Sequence, residues 1–199
     1  MIHRFTGHIA AAGHGDNVLV LGAWHTSPFG AFADVMIRHA DGVRELIAPT
    51  DEVAAFVSTT YSFDLVQVAP LRLARSSTTA HSQWRLRAGD LSWSFQVGQR
   101  SPLGLLLTAQ PPVLRQTEAY SRLINPIARR WMNVSTWGSA GQGRTEWYAA
   151  TDLHEIASSQ ATYAGADLGA IGEVADPGFG FSPPPPTPSL TALTSCVRD

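Results

Sequence analysis

The feature that most constrains the fold of this chain is an alternation of apolar and polar residues around a short Gly-Asp turn. The segment QWRLRAGDLSWSFQV (83–97) has apolar side chains at every second position on both sides of that turn. Because successive side chains of a β-strand point to opposite faces, the pattern predicts an antiparallel hairpin with one buried face. The turn pairs Leu86 with Trp93 and Trp84 with Phe95, so the apolar sides of both strands meet.

Strand signals continue along most of the chain. The run NVLVLGAW (17–24) is almost continuously apolar, which predicts a strand buried on both faces. The segments 144–156 and 160–171 are typical of further strands, and SLTALTSCV (189–197) predicts a last strand that closes the sheet. The sequence therefore predicts a mainly β (α+β) protein, with a large antiparallel sheet curled into a barrel-like cone and two or three short helices.

A second hairpin carries the acidic residue Asp34. The Asp-Gly pair at 41–42 predicts a two-residue turn, which places Arg38 opposite Glu45. The face that holds Asp34 and Met36 is apolar at its start and charged near the turn. Two interpretations stay open: Asp34 enters a lined cavity, or it lies at a sheet edge in contact with water.

Two helical segments interrupt the strands. Thr50 is suited to cap a helix over DEVAAFVSTT, whose first residues are acidic. The segment 117–132 has apolar residues at helical spacing, with Tyr120 and Trp131 expected in the core. The Asn-Pro pair at 125–126 predicts either two short helices or one kinked helix, because proline is costly inside a helix.

The length of 199 residues suits one domain over 1–199. Within it, the Pro/Gly-rich segment DPGFGFSPPPPTPS (176–189) contains four consecutive prolines. These predict a stiff polyproline stretch that runs over the surface.

Charge and composition exclude several functions. The net charge is −2, so no polycation is present to neutralise nucleic-acid phosphates, and nucleic acid is not an expected partner. The chain has 14 basic residues, all of them arginine, and no lysine. Imine chemistry on a lysine, covalent attachment of pyridoxal phosphate and the lysine of a phosphate-binding loop are therefore excluded.

Cysteine use and hydropathy point to an ordinary cytoplasmic protein. Cys196 is the only cysteine, which excludes an intramolecular disulfide and a zinc site made of cysteines. The apolar stretch at 18–24 is much shorter than a membrane span, so we expect no membrane contact. No cofactor and no metal are predicted.

Three titratable residues lie in strand-like apolar surroundings: Asp34, Glu146 and His154. Burial raises the pKa of a carboxyl group, which would suit proton transfer, so these three are the candidate catalytic residues. A buried carboxylate also requires a partner. Arg144 lies two residues before Glu146, which would place both side chains on the same face of one strand.

The segment TSPFGAFADVMI (26–37) resembles the acetoacetate decarboxylase-like superfamily. Members often carry serine, glycine, an aromatic residue and an acid at the spacing that Ser27, Gly30, Phe32 and Asp34 have here. A second segment, ATYAGADLGAI (161–171), is similar to the late hairpin of that family. Together the two segments cover about an eighth of the chain.

The resemblance implies an incompletely closed, cone-like β-barrel with a small apolar pocket and Asp34 inside it. The family acid is usually glutamate, so Asp34 has a shorter side chain than expected. Family members decarboxylate a β-keto acid through a lysine that forms an imine. This chain has no lysine, so the resemblance cannot imply that chemistry.

Two functional hypotheses remain open. In the first, a β-barrel binds a small carbonyl or carboxylate compound, either by binding alone or with a lysine-free acid–base step at Asp34. Phe32, Met36 and Trp93 would line the pocket, and Arg144 would orient an anionic group. In the second, the chain is a non-enzymatic structural or interaction module with a filled core. Homo-oligomerisation stays open in both.

Overall fold

One large sheet dominates the computed structural model of the protein. The structure describes residues 1–77, 82–111, 117–132 and 134–199, without the side chains of residues 131 and 132. The expectation that Trp131 lies in the core therefore falls outside the described side chains. None of the helices in the described ranges is long and apolar enough to cross a bilayer.

The sheet contains 13 strands. In chain order they are β1 (Ile2–His14), β2 (Asn17–Thr26), β3 (Phe32–Arg38), β4 (Arg44–Ala48), β5 (Leu65–Val68), β6 (Leu71–Ser77), β7 (Ser82–Ala88), β8 (Leu91–Arg100), β9 (Trp137–Ser139), β10 (Thr145–Tyr163), β11 (Ala166–Asp167), β12 (Ile171–Gly172) and β13 (Ser189–Arg198). The helices among the described residues are α1 (Asp51–Thr60), α2 (Pro102–Thr108) and α3 (Glu118–Met132).

The main path through the sheet runs β5-β4-β3-β2-β1-β13-β10-β8-β7-β6. All neighbours on this path are antiparallel except β4 and β5, which are parallel. The two edge strands, β5 and β6, are consecutive in the chain and only Ala69 and Pro70 separate them. The sheet therefore curls until its two edges meet at one corner. This half-barrel confirms the prediction of a mainly β fold with a curled sheet and short helices.

The inner face of the curled sheet is packed with side chains. Residues from the two ends of the strand path share one apolar cluster, which requires the sheet to close around them. Its largest members are Leu19, Leu21, Ile37, Trp84, Leu86, Trp93 and Phe95. The interior of the half-barrel is thus a filled core.

The hairpin formed by β7 and β8 has the predicted register. Leu86 pairs with Trp93 and Trp84 pairs with Phe95. Gly89 opens the turn at a φ of 52°, in the left-handed region that glycine adopts without a steric cost. All four paired side chains are at most 4% exposed, so this apolar face forms one wall of the inner core.

The predicted register of the Asp34 hairpin is wrong by one residue. Arg38 pairs with Arg44, and Ile37 pairs with Glu45. The connection is longer than a two-residue turn, because the N–H of His39 donates to the carbonyl oxygen of Val43.

The side chain of Asp41 explains that longer loop. Its Oδ1 accepts the N–H of Val43 at 3.0 Å, and Gly42 follows it with a φ of 91°. Local side-chain hydrogen bonds of this kind select the loop type as much as the Asp-Gly pair does. As a result, Glu45 bonds to His39 and Tyr163 rather than to Arg38.

Helix α1 begins where the sequence predicts. The Oγ1 of Thr50 accepts the N–H of Val53, which satisfies one free donor of the first turn. Of the two alternatives for 117–132, the structure has a single helix, because α3 runs through Pro126. The Oδ1 of Asn125 does not cap a helix, because it accepts the N–H of Thr136 at 2.8 Å in the chain that follows.

Candidate functional site

The outer face of the sheet carries a large cavity. Helices α2 and α3 and the proline-rich segment cover this face, and they enclose a volume of about 800 Å³. The wall is almost entirely apolar and includes Ile9, Ala11, Val20, Leu107, Ile124 and Leu193. Tyr120, expected in the core, is half-buried and also lines this cavity.

A smaller cavity of about 50 Å³ adjoins the large one. The two share Ile9, Val20, Met36 and Tyr61 as lining residues, so the small cavity lies directly against the large one, and we call it the narrow end. The narrow end is more polar than the wide one, because its wall includes Trp24, Asp34, Glu146 and Ser195. The apolar space thus ends at two carboxyl groups.

Asp34 lies on β3 opposite Gly22 of β2. It is 1% exposed, and its Oδ1 accepts the indole N–H of Trp24 at 2.9 Å. Burial raises the pKa of this carboxyl group to about 7, although the Trp24 hydrogen bond opposes the shift. Near neutral pH the group therefore exchanges between its charged and neutral forms, as a proton-transfer group requires.

Gly22 is part of this arrangement. A Cβ atom at that position would stand 2.4 Å from Oδ1 of Asp34 and 2.6 Å from Nε1 of Trp24. Such distances are far inside van der Waals contact. The missing side chain of Gly22 therefore makes room for the hydrogen bond between the other two residues.

Glu146 lies on β10 and is fully buried. Its Oε1 accepts two hydroxyl hydrogen bonds, from Tyr61 at 2.6 Å and from Ser195 at 2.7 Å. Its Oε2 has no hydrogen-bond partner among the described residues. Burial raises the pKa of Glu146, and the hydroxyl donors limit the rise.

The two tyrosines at this end remain neutral donors. Burial and the neighbouring Glu146 raise the pKa of Tyr61 and of Tyr148 well above 10. Their hydroxyl oxygens lie 3.2 Å apart. Both tyrosines line the large cavity, so they connect the acidic end to the apolar space.

Neither cavity has a cation in the part of its wall that the structure describes. The lining residues include no arginine and no histidine. A buried carboxylate without a cation is costly, so burial shifts the pKa of both carboxyl groups upward, toward the neutral form. The site is thus suited to donate hydrogen bonds to a neutral acceptor, and poorly suited to hold an anion.

Four of the predicted site residues lie together here. Asp34 and Glu146 face the narrow end, Phe32 lines it, and Met36 lines both cavities. The sequence did not indicate that β3 and β10 would bring the two acids to the same cavity. The resemblance implied a pocket inside the barrel. The cavity lies instead on the outer, helix-covered face of the sheet.

His154 and Arg144 lie elsewhere. The Nε2 of His154 is 3.4 Å from a carboxylate oxygen of Asp152, and neither cavity includes the histidine. Arg144 precedes the first residue of β10, so strand alternation from Glu146 does not extend to it. Its guanidinium contacts Thr59 and Asp199 instead.

Trp93 also lies away from both cavities. It packs in the inner core of the half-barrel, where its indole N–H donates to Oγ of Ser159 at 2.8 Å. Its position on the buried face of the β7–β8 hairpin decides this outcome, because that face points into the curl of the sheet.

Sequence reasoning missed Trp24, Tyr61, Tyr148 and Ser195. Tyr148 had a usable signal, since it follows Glu146 by two residues on a predicted strand and shares its face. Ser195 is two residues after Leu193 on the last strand, so strand alternation alone places both side chains on the same face. Tyr61 lies just after α1, and nothing in the local sequence relates it to β10.

No family model matches the chain, and neither a curated protein nor a solved structure matches it. The architecture therefore defines the molecule only as a β half-barrel with a cavity under its helices. The resemblance to the acetoacetate decarboxylase-like superfamily stays a prediction.

Proposed function

We propose that this protein binds a neutral, largely apolar small molecule and places a carbonyl group of that molecule against Asp34 and Glu146. The observation that carries the proposal is that the apolar cavity shares four lining residues with the narrow end, whose wall holds both carboxyl groups. A volume of about 800 Å³ lies within the range of about 300–1,000 Å³ typical of small-molecule sites.

The charge balance of the site supports a neutral ligand. A carboxylate compound would meet two buried acids and, among the described lining residues, no cation. A carbonyl oxygen is instead a good acceptor for a protonated carboxyl group. We therefore restrict the expected ligand to the carbonyl compounds, and we assign no binding role to Arg144.

The acid pair supports a lysine-free proton transfer. One protonated carboxyl group would donate a hydrogen bond to the carbonyl oxygen and stabilise the charge that develops there. The other, as a carboxylate, would accept a proton from the carbon next to the carbonyl. The C–H bond breaks, its proton moves to the carboxylate oxygen, and its electron pair forms the C=C bond while the carbonyl π pair moves to oxygen. The first carboxyl group transfers its proton to that oxygen, which gives the enol and leaves this group as a carboxylate. The same acid can return the proton, so the step needs no oxidant or cofactor.

Binding is tested first with straight-chain methyl ketones of increasing length. We expect the longer ketones to raise the melting temperature in proportion to their occupancy. Ala11→Phe, which adds a ring to the cavity wall, should abolish the shift, and Glu155→Gln on the exposed side of β10 should not change it. A lack of any shift with every ketone would contradict the proposal.

Catalysis is tested separately from binding. In deuterated water, the α-protons of a bound ketone should exchange for deuterium faster than in buffer, which proton NMR detects. Asp34→Asn and Glu146→Gln should each reduce the rate at least ~100-fold, the usual size of an acid–base contribution. Binding without faster exchange would leave the protein as a carrier of carbonyl compounds.

A second function has one observation in its favour. Strand β5 is an open edge of the sheet, and its Leu65, Val66 and Val68 are about half exposed. An exposed apolar edge strand pairs readily with another strand. We propose self-association through this edge as the alternative, tested by light scattering of the wild type and of Val66→Lys; a monomeric wild type would exclude it.

For either function we propose the cytoplasm as the compartment.

A further inference from the structure

We infer that the ligand is elongated and carries a second polar group, which bonds to the hydroxyl of Ser189 at the opposite end of the cavity from Glu146. This inference rests on the proposed binding of a small molecule and specifies its chemical class. The ligand would be a neutral chain or fused-ring compound with an apolar body and a hydrogen-bonding group near each end.

The first support is the state of the Ser189 side chain. Ser189 is 2% exposed and lines the large cavity. Its Oγ is buried and has no hydrogen-bond partner in the part of the chain that the structure describes. Buried hydroxyl groups are almost always bonded, because leaving one unpaired costs about 1–3 kcal/mol. A ligand group in the cavity would supply the missing partner.

The second support is a matching unpaired atom at the other end. The Oε2 of Glu146 is also buried without a partner among the described residues, and Glu146 lines the narrow end. Two residues with unpartnered buried polar atoms thus line the two adjoining cavities, one in each. In the narrow end, Glu146 is bonded to Ser195 of β13, the strand that begins with Ser189.

The third support is the direction of β13. Its alternate residues form the floor of the whole space: Ser189, Thr191 and Leu193 line the large cavity, and Ser195 and Val197 line the small one. Ser195 is six positions beyond Ser189 in the strand. At about 3.3 Å per residue this corresponds to about 20 Å along the strand. The two polar ends are therefore far enough apart to require an elongated ligand.

The distance of about 20 Å along the strand determines the length of the probe compounds. An extended polypeptide advances about 1.2 Å per backbone bond, so a saturated chain needs ~16 bonds to cover 20 Å. The probes are a straight-chain methyl ketone of ~16 carbons with a terminal hydroxyl and the same ketone without it. Shorter pairs of about half that length complete the series. Displacement of Nile red from the full-length protein gives the ratio of the two affinities at each length.

We expect the long hydroxy ketone to bind about 3- to 10-fold more tightly than the plain ketone, the effect of one hydrogen bond. The short pair should show no such preference, because its hydroxyl cannot reach Ser189. Ser189→Ala should remove the preference of the long pair. The matched control Ser92→Ala, an exposed serine on β8, should keep it. Because the readout is the ratio of the affinities of the hydroxy ketone and the plain ketone, a substitution that weakens both equally leaves it unchanged.

The result that overturns the inference is distinct from failure of the proposed function. If plain ketones bind but the terminal hydroxyl changes nothing at any length, the second polar contact does not exist. The same follows if Ser189→Ala retains the preference. If neither kind of ketone binds, the proposed function itself fails, and this inference fails with it.

Discussion

At the scale of single residues, burial decides the chemistry of the site more than neighbouring charges do. Desolvation is the largest cause of the raised pKa of both Asp34 and Glu146. Each carboxyl group nevertheless has neutral donors, Trp24 for one and Tyr61 with Ser195 for the other. These donors hold the acids in place without fixing their charge. Asp34 can then gain or lose a proton near neutral pH, and the pKa of Glu146 is raised by the same cause.

The raised pKa of Asp34 predicts a pH-dependent stability. The unfolded chain loses this proton near pH 3.8 and the folded chain near pH 7, so the wild type loses stability as pH rises through that interval. Asp34→Asn removes the effect. Between pH 4 and pH 8, the unfolding free energy of the variant minus that of the wild type should rise by up to about 4 kcal/mol, at about 1.36 kcal/mol per pKa unit. Urea unfolding at several pH values measures this, and parallel curves for the two proteins would contradict it.

The hydroxyl of Tyr61 is predicted to hold down the pKa of Glu146. Tyr61→Phe removes the 2.6 Å hydrogen bond, so the pKa of Glu146 should rise further and the protein should lose about 1–3 kcal/mol. Infrared titration of the protonated carboxyl group and urea unfolding provide the two measurements. Tyr163→Phe is the control, because it removes a tyrosine hydrogen bond to a different glutamate, Glu45. An identical carboxyl titration in Tyr61→Phe would show that the contact has no electrostatic role.

At the scale of elements, local patterns predicted the presence of strands and hairpins better than their register or their neighbours in the sheet. The β7–β8 hairpin has the register that its alternation requires. The Asp34 hairpin does not, because the side chain of Asp41 stabilises a longer loop. Strand β13 was expected to close the sheet, and it lies in the middle between β1 and β10. A sequence pattern predicts that a strand forms, but its neighbours depend on the path of the rest of the chain.

Helix α3 provides a test at this scale. Pro126 inside the helix lacks the N–H that would bond to the preceding turn. We expect Pro126→Ala to stabilise the protein by about 1–2 kcal/mol, because the restored hydrogen bond outweighs the extra freedom of the unfolded chain. Pro102 lies in the first turn of α2, where proline fits, so Pro102→Ala should instead cost about 0.4–1 kcal/mol. Thermal unfolding of both variants gives the signs, and the same sign for both would refute the explanation.

At the scale of the whole molecule, the sheet has two different faces. The inner face closes on a filled core, and the outer face bears a cavity under helices and prolines. The resemblance to acetoacetate decarboxylase-like proteins predicted a pocket inside the barrel. The filled interior also fits the alternative of a structural module. That alternative does not explain the cavity on the outer face.

Two adjacent alanines on β1 test this division. Ala11 lines the cavity, whereas Ala12 is fully buried in the inner core. Ala11→Leu should be neutral or stabilising by up to about 1–2 kcal/mol, since it fills empty apolar space, and it should weaken ketone binding. Ala12→Leu should cost about 1–3 kcal/mol, because a packed core has no room for the added atoms. Urea unfolding compares them, and equal losses in both would mean that the outer face is packed as tightly as the inner one.

The sequence by itself determined that this chain forms β-hairpins, that Thr50 begins a helix, and that lysine chemistry is impossible. It also identified Asp34 and Glu146 as acids in apolar strands, because alternation is a local property that needs no knowledge of distant residues. Only the tertiary structure decided that β3 and β10 face one cavity, and that His154, Arg144 and Trp93 lie away from it. Those outcomes depend on how the sheet curls and which face the helices cover. Both follow from packing between residues that are far apart in the chain, which no local pattern encodes.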